Sequence, residues 1–168
     1  FQATLTNFRY LTKSWKDNTE EEALLGVSLT GIMDNTKLNN LTPVLEGNLE
    51  KLKKIAVDTN DLWAKRLKIK PSAAITCVKP SGTVSQLVDS ASGIHPRHSE
   101  YYLRTVRADK KDPLAQLMVD QGVYHEDDIT KPDHTLVFYF PIKSPDKSLT
   151  RIHLSAIEHL KLWKPYQD

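Results

Sequence analysis

The stretch best equipped for chemistry is Lys79 to Gln86, KPSGTVSQ, which directly follows a run of small and β-branched residues. Pro80 blocks continuation of a strand, and Gly82 lets a ligand approach the backbone closely. Ser81, Thr83 and Ser85 place hydroxyl groups where a helix can begin. A strand-to-helix turn of this kind presents unpaired N–H groups at the positive end of the helix dipole, and phosphate suits that geometry. The two-glycine spacing and Gly-Lys-Ser/Thr ending of a P-loop are absent. An ordinary capped helix start uses the same residue types, so composition leaves both readings open.

The next candidates lie in Asp89 to Arg107, DSASGIHPRHSEYYLRTVR, a loop leading into a strand. Gly93-Ile94-His95-Pro96 is a tight, conformationally restricted loop. His95 and His98 have the right chemistry for metal ligation, but no third partner stands at a recognised spacing, so no metal site is expected. Arg97, Arg104 and Arg107 suit an anionic ligand or plain surface charge. Cys77, the one cysteine, sits between Thr76 and Val78 and reads as a small buried hydrophobe on an interior strand. Lys79, two residues on and pointing to the same face, is the one neighbouring group that could activate it. His125, His134, His153 and His159 read as surface histidines. No Ser/His/Asp order or carboxylate pair stands out, and no catalytic residue is expected within this chain.

Composition narrows the classes. The 168 residues are 39% hydrophobic and 26% charged, with a net charge of +2. Such balance argues against nucleic-acid binding by charge, and no run approaches the length of a membrane span. One cysteine permits no internal disulfide, and nothing points to secretion.

The elements that must position these groups follow from periodicity. Phe1 to Trp15 reads as the tail of an upstream helix, and Glu20 to Glu22 as a solvated helix start. Leu24 to Met33 is an apolar run that reads as a buried strand or a tightly packed short helix. Leu49, Leu52, Ile55, Ala56, Thr59, Leu62 and Trp63 form one stripe of a helix over Glu46 to Leu67, stopped by Pro71. Ala73 to Val78 reads as a short buried strand. Tyr101 to Arg107 is a strand, and Asp112-Pro113 opens a helix closed by Gly122. Thr135 to Ile142 (TLVFYFPI) has the composition of a strand inside a sheet, ending near Pro141. A last helix from Leu154 carries Ile157, Leu160 and Trp163 inward. Alternating helices and strands argue for α/β layering with parallel strands. No cap follows the last helix, so the chain reads as cut.

Four blocks resemble the large catalytic subunit of ribonucleotide reductases, and more narrowly the adenosylcobalamin-dependent class II type that reduces ribonucleoside triphosphates. They are Glu21 to Asn35 (EEALLGVSLTGIMDN), Thr76 to Gln86 (TCVKPSGTVSQ), Ser92 to Arg107 (SGIHPRHSEYYLRTVR) and Ser155 to Trp163 (SAIEHLKLW). The resemblance implies the second half of the ten-stranded α/β barrel of thiyl-radical enzymes. Residues 1–168 would then be a partial catalytic domain, truncated at both ends. It implies that Ser81, Gly82, Thr83 and Ser85, with the amide of Val84, hold substrate phosphates, and that Gly93, Ile94, His95 and Pro96 lie near the barrel mouth. Class I enzymes usually carry an acidic residue where Gly82 stands, which favours class II.

The family's Asn-x-Cys-x-Glu finger-loop motif and its redox cysteines do not occur here, so the segment alone is expected to be inactive. For the complete enzyme the resemblance implies adenosylcobalamin as cofactor, a ribonucleoside triphosphate as substrate, a dNTP effector and thioredoxin. It implies a cytoplasmic location, or the host cytoplasm for a phage protein. The alternatives are a class I ribonucleoside-diphosphate reductase fragment and a non-catalytic phosphate- or nucleotide-binding module.

Overall fold

The computed structural model describes residues 4, 5 and 8–168. Part of the expected helix tail over Phe1 to Trp15 lies outside the described residues. The chain divides into two compact units. One runs to Arg97 and resumes at Lys147–Asp168, and the other is His98–Asp146.

The first unit opens with α1, Lys13–Glu22. Glu20 to Glu22 therefore stand at a helix end, not at the expected start. Ala23 reverses the chain there in a left-handed conformation (φ 43°), its N–H donating to the Thr19 carbonyl. The reversal lets the apolar run that follows extend beside residues 73–77. Leu25 N–H donates to Ala74 O at 3.0 Å, Val27 N–H to Ile75 O at 2.9 Å, and Cys77 N–H to Val27 O at 3.0 Å. Val27 and Thr76 form a parallel bridge. Neither segment becomes a full strand, and Leu24, Val27 and Leu29 are exposed. The expected buried strand over Ala73 to Val78, and the strand reading of Leu24 to Met33, are corrected, because this single short pairing covers too little of their apolar surface. A 3₁₀ turn at Ile32–Asp34 ends the first run.

Helix α2 spans Pro43–Leu67, three residues longer at its start than the periodicity indicates. Thr42 accepts the Leu45 N–H, and Pro43 occupies the first helical position. Leu45 and Ala64 are buried, whereas Leu52, Ile55, Leu62 and Trp63 of the expected stripe are exposed. Helix α3 is a single turn, Val84–Leu87.

The second unit contains β1 (Tyr101–Asp109), α4 (Pro113–Asp120), β2 (His125–Asp127) and β3 (Thr135–Lys143). Asp112 caps α4 by accepting the Leu114 N–H, and Gly122 follows it with φ 75°. The sheet order is β1-β3-β2 and both pairings are antiparallel. The expected parallel sheet is thus corrected. The sequence between β2 and β3 is too short for a crossover and returns the chain antiparallel. β3 is central, as its composition indicates, and runs through Pro141 to Lys143. Beyond Phe138 its only ladder is with β1, so an absent N–H on the open side is tolerated. Ala115, Leu136 and Phe138 form this unit's core.

Helix α5, Ala156–Gln167, returns to the first unit. Ser155 and Glu158 form a reciprocal capping box. Leu162 joins Ile32, Met33, Leu45, Ala91 and Ile94 in the core. Ile157, Leu160 and Trp163, expected inward, are exposed instead. The helix docks through a narrow seam, and Leu162 and Tyr166 at i, i+4 define it. The Tyr166 hydroxyl donates to Leu38 O at 2.7 Å, and burial pushes its pKa up to about 12.

Candidate functional site

The parallel pairing of residues 24–27 with 73–77 sets two chain exits side by side. One leads to Thr30-Gly31 and the other to the Lys79–Ser85 turn. Ser85 N–H donates to Ser81 O at 2.9 Å and closes the turn. Ser85 is fully buried, and its hydroxyl donates to Gly82 O at 3.3 Å. Gly82, Thr83 and Val84 are exposed, and their N–H groups have no acceptor among the described residues. A Cβ on Gly82 would meet nothing within 4 Å, so the space beside these amides is open. Because α3 is one turn, its dipole is small, and what the turn offers an anion is a set of free donors.

The tight backbone approach is at Gly93. Its φ is +54°, and a Cβ there would stand 2.9 Å from the Lys79 carbonyl oxygen. The Gly93 N–H is shared between Ser81 Oγ at 2.9 Å and Thr30 Oγ1 at 3.0 Å. Thr30 Oγ1 also bonds Ser81 Oγ, and donates to Ala91 O at 3.1 Å. The turn and the Gly93–Pro96 loop, singled out separately in the sequence, are therefore brought together. A cavity of about 600 Å³ lies beside them, walled by Lys79, Pro80, Ile94, His95, His159 and Trp163. His159, read from sequence as a surface residue, is half-buried and its Nε2–H donates to Ile94 O at 2.9 Å. The His95 ring meets it edge-on at 6.4 Å between centroids.

Arg97 is buried, correcting for that residue the reading as ligand-facing or surface charge, whereas Arg107 is exposed. It forms a 2.9 Å ion pair with Asp34 and donates to Asp89 O at 2.8 Å. Burial opposes ionisation of Asp34, but hydrogen bonds from Arg97 and from the Ala91 amide outweigh it and hold the carboxyl below its ordinary range. The pair anchors both ends of the loop that carries Gly93. Arg107 in the second unit pairs with buried Asp128 at 2.6 Å.

Cys77 is exposed, not buried as its neighbours suggest. It does share a face with Lys79, since a Cβ on Gly26 would lie 3.7 Å from its Sγ and 3.3 Å from Lys79 Nζ. A second cavity of about 620 Å³ opens there, with Val27, Leu52, Ile55, Cys77 and Tyr166 among its walls. No group of three metal-ligating side chains occurs among the described residues. No helix among them is long and apolar enough to cross a membrane. Sequence reasoning missed Thr30, Asp34 and His159. The one available signal was polar Thr30 inside the apolar run from Leu24 to Met33 and Asp34 directly after it.

No protein-family model matches the chain. It is similar to the adenosylcobalamin-dependent ribonucleoside-triphosphate reductase of Euglena gracilis, with 29% identity over 154 residues, covering 88% of this chain and 21% of that protein. The enzyme of the same name from Lactobacillus gasseri is 34% identical over 102 residues, covering 61% and 14%. That from Lactobacillus leichmannii is 33% identical over 96 residues, covering 57% and 13%. The chain thus spans about a fifth or less of the length of the curated relatives it matches. In fold it is similar to a B12-dependent (class II) ribonucleotide reductase, with a TM-score of 0.75 and 22% identity over 93% of this chain and 26% of that one.

Proposed function

We propose that this chain is a segment of an adenosylcobalamin-dependent ribonucleoside-triphosphate reductase, in which the Ser81–Ser85 turn holds the substrate's phosphates. The observation that carries the reading is the similarity to enzymes of that name across 88% of the chain. Residues 1–168 then lie within one catalytic domain and form the second half of its α/β barrel. The parallel pairing at Val27 and Thr76 is what adjacent strands of such a barrel supply.

The complete enzyme converts a ribonucleoside triphosphate to the 2′-deoxyribonucleotide in the cytoplasm, or in the host cytoplasm for a phage protein. A dNTP effector and thioredoxin are its partners. Adenosylcobalamin supplies the radical chemistry when bound, and the thiyl cysteine and redox pair belong to parts of the polypeptide beyond this segment. No residue here is assigned to the cofactor.

What this chain's residues do is bind and orient. Phosphate oxygens accept from the amides of Gly82, Thr83 and Val84 and from the Thr83 hydroxyl. Ser81 and Ser85 keep the turn closed, and the missing side chain of Gly82 leaves room for the anion. The Gly93, Ile94, His95 and Pro96 loop is the adjoining wall. Fixing the phosphates holds the nucleotide with its ribose in place, a binding contribution read in KM.

Replacing Gly82 with Asp in the full polypeptide sets a like charge where the phosphates bind. It is expected to raise KM for the nucleotide at least about tenfold, the scale of one lost charge-assisted interaction. Unchanged nucleotide kinetics removes the assignment of the turn. Activity indifferent to added adenosylcobalamin removes the class II assignment.

A further inference from the structure

Whether a serine in such a turn touches the ligand or holds the turn is decided by its proton. Around Ser81 the structure permits that count. Four groups meet: Thr30 Oγ1, Ser81 Oγ, the Gly93 N–H and the Ala91 carbonyl. A hydroxyl has one proton to donate and two lone pairs to accept with. Ala91 O has no proton, so its 3.1 Å contact with Thr30 Oγ1 uses the Thr30 proton. In the Thr30–Ser81 contact Ser81 must then be the donor. The Gly93 N–H is divided between the two oxygens, at 2.9 Å and 3.0 Å. Both hydroxyl protons are consumed inside the knot, and Ser81 has none left for an anion.

The knot also joins three segments that are remote in sequence: the end of the apolar run, the start of the turn and the Gly93 loop. Each is held elsewhere by one more fixed contact. Gly31 N–H donates to Ala91 O at 2.8 Å, and the Asp34 carboxylate accepts the Ala91 N–H at 2.7 Å. Gly93 rests against the Lys79 carbonyl. Thr30, Ser81 and Gly93 each bond the other two, and the Thr30 hydroxyl alone also reaches the Ala91 carbonyl.

We propose that Thr30 is a positioning residue for the phosphate turn, acting on the substrate through Ser81. Its hydroxyl orients the Ser81 hydroxyl inward and away from the ligand, and so aims the amides of Gly82, Thr83 and Val84 outward. This rests on the reading of Ser81–Ser85 as the phosphate turn, and assigns within it a residue that never meets the phosphate.

The test uses the full reductase polypeptide, with inorganic tripolyphosphate as a competitive probe of the phosphate site alone. Thr30→Val keeps the shape and removes the hydroxyl. It is expected to raise both KM for the nucleotide and the tripolyphosphate inhibition constant about tenfold, with kcat within about twofold, because uniform binding is lost. Thr30→Ser retains the oxygen and is expected to restore both constants to within about threefold. Ser81→Ala should match Thr30→Val, and the double variant should be no worse than either, since both break one unit. Thr30→Ala serves in the same assays if valine loosens the fold.

Full effects from Ser81→Ala with none from Thr30→Val or Thr30→Ala would mean that Ser81 touches the phosphate directly, and would overturn the proposal. So would additive effects in the double variant, or a Thr30→Ser variant no better than valine. If Gly82→Asp is also without effect, the phosphate reading itself has failed. If Gly82→Asp acts while the Thr30 variants do not, that reading stands and only the role of Thr30 falls.

Discussion

The two units of the chain each bury a small core and leave apolar faces uncovered on different elements. In His98–Asp146, α4 packs on the sheet through Ala115, Leu136 and Phe138, supported by Ala108, Met118, Val119, Val123 and Phe140. Buried Asp128 has its charge answered locally. The Thr130 hydroxyl and the Arg107 guanidinium donate to its carboxylate and hold it well below the ordinary carboxylate range. The other unit buries a core of similar kind around Ile32, Met33 and Leu45, yet leaves a run of large apolar residues outside it along α2 and α5. The second unit also leaves apolar residues uncovered, Leu103 on β1 and Leu114 and Leu117 on α4 among them. The comparison teaches that periodicity specifies a sticky face but not what covers it, on α2 and α5 in one unit and on β1 and α4 in the other.

That contrast can be broken by substitution. Phe138→Ala removes a side chain with 0% exposure and should destabilise the second unit by about 3–5 kcal/mol. Faster hydrogen exchange of the β1 and β3 amides would report it, and unchanged exchange would mean that the unit does not stand on this core. Gly93→Ala should cost about 1–3 kcal/mol in the first unit, because the φ of +54° is strained for alanine and the Lys79 carbonyl blocks its Cβ. A near-neutral effect in thermal melts would show that the Gly93–Lys79 contact is looser than drawn.

Acid should sharpen the comparison from the other side. The Asp128 pKa is depressed on folding, so the stability it contributes is complete above its ordinary value of 3.8 and is lost as the pH falls below that toward the folded-state value. The protection factors of the β2 and β3 amides should therefore fall below about pH 4, and Asp128→Asn should flatten that dependence. The smallest effect is expected at Ile55→Ala, where 60% of the residue is exposed and the change should stay within about 0.5 kcal/mol. A large loss there would reveal that the α2 face is covered after all.

Several elements were legible because their signals are local. Asp112 and Pro113 announce α4, Thr135 to Ile142 announces the central strand, and the stripe from Leu49 to Trp63 announces α2. β2 was not legible, since His125–Asp127 has no apolar alternation and exists only through its pairing with Leu136, Val137 and Phe138. The site divided in the same way. The Lys79–Gln86 turn and the Gly93–Pro96 loop could be picked out by residue type, but Thr30 and Arg97 could not.

By itself the sequence determined helices α2, α4 and α5, the residue types of the turn and the resemblance of four blocks to one family, because capping, periodicity and glycine placement act over a few residues. The tertiary structure decided that the sheet is antiparallel, that Cys77 is exposed and Arg97 buried, and that Thr30, Ser81 and Gly93 share one hydrogen-bond knot. The hydrogen-bond knot and the burial of Arg97 depend on contacts between residues about fifty or sixty positions apart, such as Thr30 with Ser81 and Asp34 with Arg97. No local pattern encodes such partners, since burial and proton direction are settled only when the segments meet.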